Sequence, residues 1–185
     1  MTWTMNKSRM LTERLCCRAV TAADAPRLFA IYGDPATNQF NPAGPCPDID
    51  RARTLLHRWL THWQQHGFGM WAIAQRDDAE NVLGFGGISI ADYGGVSVNN
   101  LGYRFATLAW GKGLATEFAI AAVRYGFMEI GLATISAKVR PAHLASQKVL
   151  LNSGLRYVFT LQDVDSGPPS LCYQLSRAEW QTANR

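Results

Sequence analysis

Apolar residues along this 185-residue chain switch between every second position and every third or fourth, and each switch predicts a new element. Period-two runs rich in β-branched and aromatic residues predict strands over residues 13–20, 70–75, 82–90, 98–107, 134–139, 156–162 and 171–175. Thr21 and Asp24 stand at capping-box spacing and open a helix to about residue 32. Asp48 caps a second helix, to about residue 66, whose Ala52, Leu55, Leu56, Trp59, Leu60 and Trp63 make one 3.6-period stripe. Residues 113–129 are apolar nearly all round, which predicts a buried helix, and 144–153 form another that Gly154 stops. The stretch 33–47 carries four prolines and two glycines and reads as a loop. Turns are predicted at 77–81, at Tyr93-Gly94-Gly95 and at Ser166-Gly167-Pro168-Pro169. Four strands, a glycine turn, then helix, strand, helix and two strands predict a mixed α/β sheet with helices on both faces.

Composition narrows the class. A hydrophobic content of 48% with 17% charged residues describes a globular chain of one-domain size. No apolar run approaches the roughly 18 residues of a membrane span, and the first ten residues lack the apolar stretch of a signal peptide. A cytoplasmic protein is therefore expected, with Cys16, Cys17, Cys46 and Cys172 as free thiols. No Cys-x-x-Cys pair exists, and His62 and His66, four apart on one helix, have no evident third ligand, so no metal is expected. The net charge of +4 comes without a block of like charge. That argues against nucleic acid and suits a small polyanionic ligand.

One junction carries chemistry. Trp110-Gly111-Lys112-Gly113-Leu114-Ala115-Thr116-Glu117 joins a strand-like run to the apolar helix. Glycines at i and i+2 let a ligand approach the backbone, while the helix that opens there presents unpaired amides and its positive dipole end. Such a turn holds an anion, usually a phosphate or pyrophosphate, and Lys112 adds a mobile positive charge. On the glycines alone, a tight turn before an ordinary helix is the equal alternative. A dinucleotide-binding turn fails twice. Thr116 stands where a third glycine or alanine is needed, and no acidic residue ends a second strand about 20 residues on. The cluster Gly84-Phe85-Gly86-Gly87 lies within a strand and opens no helix, so it marks a bulge or close packing.

The flanks of the junction resemble a known family. Gln/Arg-x-x-Gly-x-Gly/Ala is the acetyl-CoA pyrophosphate loop of GNAT-superfamily N-acetyltransferases; Trp110 takes the Gln/Arg position, Gly113 the first Gly and Ala115 the Gly/Ala. The variant with Trp resembles the branch containing the ribosomal-protein N-terminal acetyltransferases. So do Leu11-Thr12-Glu13-Arg14-Leu15 and the downstream Val139-Arg140-Pro141-Ala142-His143-Leu144-Ala145-Ser146 with Asn152-Ser153-Gly154-Leu155. The resemblance covers roughly residues 10–178, leaving 1–9 as an extension and 179–185 as a tail. It implies a single-domain α/β GNAT fold, a mixed and mostly antiparallel central sheet splayed at the cofactor site. It implies acetyl-CoA as co-substrate, no metal, and direct transfer to a primary amine by a monomer or homodimer. A protein or peptide N-terminus is the favoured acceptor, a small-molecule amine the alternative, and a catalytically weak acyl-CoA-binding or sensor protein the other functional class. Cofactor contacts are implied from Trp110, Gly111, Lys112, Gly113, Leu114, Ala115 and Thr116, strand-like pairing of pantetheine with Phe105, Ala106 and Thr107, and further contacts from His143 and Ser146.

Direct transfer needs an ammonium deprotonated, an oxyanion supported and a sulfur stabilised as it leaves. By the resemblance, Ser146 is the candidate donor to that sulfur. Asn100 occupies the position, two before Gly102-Tyr103, where the branch often has a carboxylate. It cannot act as a base, but it can accept from an ammonium or order a water; a plain surface or turn role is equally open. His143 replaces an Asn that commonly contacts pantetheine, and its imidazole can donate, titrate or cap a helix. The Tyr acid of other members would fall near Leu150 and is missing. Glu117 reads as structural, holding a loop amide or a basic partner. Trp59, Trp63, Trp71 and Phe40 read mostly as core, with the loop 33–47 and the helix after it forming the acceptor wall.

Overall fold

A computed structural model describes residues 5–6 and 8–185. Its contacts group the chain into two units, Met1–Gly87 with Tyr103–Phe118, and Ile88–Gly102 with Ala119–Arg185. Two strands, β5 (Asp78–Tyr93) and β6 (Val96–Phe105), run through both.

In the first unit β1 (Met5–Asn6), β2 (Arg9–Leu11), β3 (Leu15–Ala19) and β4 (Met70–Gln75) pair antiparallel in chain order, and β5 follows β4. Of the expected extension 1–9, residues 1–4 and 7 lie outside the described residues; β1 takes residues 5–6, Ser8 lies in a turn and Arg9 begins β2. The predicted turn 77–81 shrinks to Arg76-Asp77, since Gln75 already pairs with Asp78. A bulge follows, because Ile73 opposes Gly84 while Ala74 opposes Val82. The neighbouring glycines serve packing. A Cβ on Gly86 would lie 2.6 Å from the Phe118 ring, and one on Gly87 2.2 Å from the Gly69 carbonyl oxygen.

Helices α1 (Ala25–Tyr32) and α2 (Ile49–His66) cover this part of the sheet. The Thr21–Asp24 capping box opens a short 3-10 turn before α1. Asp48 accepts the Arg51 amide at 2.8 Å to start α2, and Gly67 ends it in the left-handed region. The stripe of α2 packs as its period predicts: Ala52 and Leu56 join Leu28, Ile31, Ala72 and Phe85 in the core, with Leu55, Trp59, Leu60 and Trp63 packed against them. The loop 33–47 contains one 3-10 turn, Pro35–Asn38.

In the second unit β7 (Thr134–Val139) pairs antiparallel along its length with β9 (Ser170–Ser176), and β9 pairs with β8 (Arg156–Leu161). Between β6 and β7 the pairing is parallel, and among the described residues it occurs at Asn100–Ser136 alone. That near-absence of a ladder is the splay implied by the resemblance. The buried helix α3 (Leu114–Tyr125) is continued by a π turn, Gly126–Ile130, where a Cβ on Gly126 would meet Ile88 and Ile135 at under 3 Å. Helix α4 (Leu144–Asn152) is followed by Gly154 at φ +96.

Three boundaries differ from expectation. The strand predicted over 98–107 starts earlier, at Val96, and ends at Phe105, with Thr107–Ala109 turning as 3-10 helix. The strand predicted over 82–90 is extended at both ends. Most of the expected tail is helix α5 (Arg177–Ala183), opened by a capping box between Ser176 and Glu179.

Candidate active site

Gly111 and Gly113 both take the left-handed backbone, at φ +73 and +75, and so turn the chain into α3 within three residues. A Cβ on Gly111 would meet nothing within 4 Å, and one on Gly113 would meet Arg14 Nη2 at 3.6 Å. The glycines are therefore required by backbone conformation, with open space beside them. Glu117 N donates to Gly113 O at 3.0 Å as the helix's first turn closes. The amides of Leu114, Ala115 and Thr116 precede that bond and have no helical partner. Unpaired amides at a helix N-terminus are the groups that hold a diphosphate.

This turn is braced from behind. Glu117 Oε1 accepts the Thr12 hydroxyl at 2.6 Å and the Arg14 amide at 2.8 Å, while Oε2 accepts Arg14 Nε at 2.6 Å. Arg14 Nη1 then donates to the Lys112 carbonyl at 2.8 Å. Burial works to raise the Glu117 carboxyl, but the bonds from Thr12 and Arg14 outweigh it and hold the group below the usual carboxylate range. Glu117 is thus structural, as expected, with both a loop amide and a basic partner. Arg14 is the residue that sequence reasoning missed, although Thr12-Glu13-Arg14-Leu15 stood out as a motif; Thr12 and Arg14 of that motif hold the glycine loop.

Nearby, the Trp110 indole donates to the Phe105 carbonyl at 3.0 Å, and Ala106 N donates to the Leu83 carbonyl at 2.8 Å. Two of the groups expected to pair with pantetheine thus already have partners within the chain. The Phe105 oxygen keeps a second lone pair, and Thr107 is exposed.

The remaining candidates lie in the second unit. Asn100 Oδ1 accepts the Tyr93 hydroxyl. Burial, with Cys172 and Asp163 adding to it, pushes the Tyr93 phenol up, so it stays protonated and donates. Tyr93 had not been singled out, since only the fold brings it against Asn100. His143 is the N-cap of α4, its Nδ1 accepting the Ser146 amide at 3.4 Å. Ser146 lies half-buried in that first turn, and Leu150 is core.

Other groups settle as structural. His62 Nδ1 bonds the Phe68 carbonyl at 2.8 Å, and its ring lies 4.5 Å from that of His66. Among the described residues no three His, Cys, Asp or Glu gather as a metal site. Trp71 is core, and the Trp63 indole donates to the Met70 carbonyl at 2.7 Å. No helix among the described residues is long and apolar enough to cross a membrane.

Residues 14–156 match the acetyltransferase (GNAT) domain family. The chain is also 30% identical over 144 residues to an uncharacterised N-acetyltransferase, p20, of Bacillus licheniformis, a match covering 78% of this chain and 79% of that one. This chain belongs to the GNAT acetyltransferase family and is acetyl-CoA dependent. Two solved structures share the fold. A provisionally named ribosomal-protein-serine acetyltransferase from Vibrio cholerae gives a TM-score of 0.69 at 16% identity, over 91% of this chain and 97% of that one. AAC(6')-Ib, solved with Parmomycin and acetyl-CoA, gives 0.77 at 14% identity, over 94% and 99%.

Proposed function

We propose that the protein transfers the acetyl group of acetyl-CoA to a primary amine, with a protein or peptide N-terminus as the favoured acceptor. The turn Gly111-Lys112-Gly113 carries the first half of this reading: left-handed glycines, open space beside them and a helix start whose first amides lack helical partners fit a diphosphate. Lys112 and the amides of Leu114, Ala115 and Thr116 hold it, and the Arg14–Glu117 brace keeps them in place. Bound acetyl-CoA supplies the thioester carbon that the amine attacks. Ser146 donates to the sulfur as negative charge develops there. Asn100 takes no proton at neutral pH; its amide orients the incoming ammonium or a water that receives the proton.

The choice of a peptide N-terminus rests on the resemblance of the Trp-Gly-Lys-Gly and Thr-Glu-Arg-Leu segments to that branch. Both segments belong to the cofactor loop and its brace, so they speak only indirectly to the acceptor. AAC(6')-Ib was solved with Parmomycin, so the fold by itself does not select a peptide, and a small amine is the second reading. Thiol release from acetyl-CoA over a panel of peptide N-termini and small amines tests both. Turnover on peptides and none on small amines is expected. The reverse result moves the acceptor to small amines, and tight CoA binding without turnover on any amine overturns the enzyme reading in favour of a sensor.

A further inference from the structure

Arg104 is a cation that the cofactor loop and its brace leave unused. It sits on β6 one residue before Phe105. Its Nη1 donates to Asn38 Oδ1 at 2.7 Å, and its guanidinium lies 4.4 Å from the centroid of the Tyr32 ring. Asn38 is itself buried and locked, its Nδ2 donating to the Tyr32 and Asp34 carbonyls, each at 2.8 Å. Asn41 Nδ2 reaches the same Asn38 Oδ1 at 2.9 Å. The first turn of the proline-broken loop 33–47 is thus built around one guanidinium, held from the side by a hydrogen bond and from its face by an aromatic ring.

Its charge is not answered. Among the described residues, the ion pairs are Arg14–Glu117, Arg18–Asp24, Arg53–Asp50, Lys138–Asp163 and Arg140–Asp163, and none includes Arg104. Asp34, the carboxylate nearest in sequence to Asn38, accepts the Ala36 amide in its own turn. Tyr32 does not serve as the missing anion either. Burial pushes its phenol up to about 12 against the opposing pull of Arg104, so it is neutral at physiological pH. A half-buried cation without a counter-charge is unfavourable until an anion arrives. An arginine pre-set on an aromatic face, with its fork partly free, is the arrangement that receives a planar carboxylate.

We propose that Arg104 reads a carboxylate on the acceptor. This rests on the amine-transfer reading above and gives it a substrate class. The carboxylate comes from one of two sources: the side chain of an acidic residue near a peptide N-terminus, or the α-carboxylate of a free amino acid.

Two matched pairs of probes separate the sources, a short peptide with Asp against Asn at its second position, and a free amino acid against its amide. For wild type, Arg104→Gln and Arg104→Lys, kcat/KM is measured by thiol release and probe affinity by calorimetry, with folding checked by thermal melting. The readout is the charged-to-neutral ratio within each protein, so a general loss from loosening the loop cancels. Wild type is expected to prefer the charged member of one pair by roughly tenfold or more, in KM rather than kcat. Arg104→Gln is expected to bring the ratio near one, and Arg104→Lys to restore part of it. Equal use of charged and neutral probes by wild type, or a preference that survives Arg104→Gln, overturns the proposal. Absence of turnover on every probe rejects amine transfer, while a charge preference in calorimetry that Arg104→Gln abolishes still supports the carboxylate site.

Discussion

Arg14 and Glu117 are 103 positions apart in the chain, yet the guanidinium Nε of one meets the carboxylate of the other at 2.6 Å. The pair joins the chain just before β3 to the first turn of α3. Because Arg14 also donates to the Lys112 carbonyl, it ties the middle of the glycine loop to the helix that follows. Glu117 is the better buried partner, its side chain 16% exposed against 48% for Arg14, so removing each is expected to have unequal effects.

Glu117→Gln leaves three donors short of an anionic acceptor and is expected to destabilise the fold by about 2 kcal/mol. Arg14→Ala breaks a half-exposed pair that solvent screens and is expected to lose about 1 kcal/mol. Both are expected to weaken acetyl-CoA binding. Chemical denaturation and calorimetry on the two single variants and the double variant check this, and the losses are expected to be less than additive because the residues act as one brace. Full additivity would show that the loop does not depend on the pair.

The same carboxylate sets a pH dependence. Glu117 titrates in the folded protein below its ordinary value of 4.5, so as the pH falls the unfolded chain takes up the proton first. Its stabilisation is complete above that value and is lost as the pH drops through the lower folded-state value. The difference in melting temperature between wild type and Glu117→Gln, measured from neutral pH downward, is therefore expected to be constant and then to shrink below about pH 4.5. Asp163, also held low despite burial by Lys138 and Ser170, is common to both proteins and cancels. A difference that persists at the acid end would locate the stabilisation elsewhere.

The sequence discloses what local physics dictates. Strand β7 and helix α2 were legible because alternation in one, and a capped 3.6-period stripe in the other, each repeat within a few residues. The glycine loop was legible because a left-handed backbone at positions 111 and 113 all but demands glycine. Strand β2 escaped because three residues are too few for a period, and α5 because Trp180 is its one large apolar residue. Its Ser176–Glu179 capping box was the available signal. Arg14 against Glu117, and Tyr93 against Asn100, were legible only as separate residues. Neither pairing leaves a periodic trace, since it depends on which segments the sheet and α3 bring side by side.

The left-handed glycines separate conformation from space. Gly113→Ala is expected to cost about 1 kcal/mol of backbone strain, and Gly113→Asn less, since Asn tolerates the left-handed region better. Gly113→Val adds β-branched bulk to the strain and is expected to abolish acetyl-CoA binding in a protein that still folds. Calorimetry with acetyl-CoA alongside thermal melting distinguishes the cases. Unchanged affinity in folded Gly113→Val would remove this turn from the cofactor site.

His143 caps α4 through an unprotonated Nδ1 that accepts the Ser146 amide. His143→Ala is expected to lose about 1 kcal/mol, and His143→Asn to recover most of it, because Asn is a good N-cap acceptor. If capping is the whole role, His143→Asn also keeps turnover. A variant with normal melting temperature and acetyl-CoA affinity but a reduced kcat would show instead that the imidazole takes part in the reaction.

Asn100 sits where a carboxylate is common in the resembling branch, and the hydroxyl of buried Tyr93 already donates to its Oδ1. That bond fixes the amide's orientation, with Oδ1 toward Tyr93 and one lone pair to spare. Tyr93→Phe frees the amide to flip and is expected to lower kcat several-fold if Asn100 orders the ammonium or a water, with acetyl-CoA affinity unchanged. Asn100→Asp keeps the acceptor for Tyr93 and restores a carboxylate, so activity is expected to hold or rise, with a new acid limb in the pH–rate profile. A loss of activity in folded Asn100→Asp, together with an indifferent Tyr93→Phe, would place substrate orientation elsewhere and leave Asn100 as a strand residue paired with its neighbour.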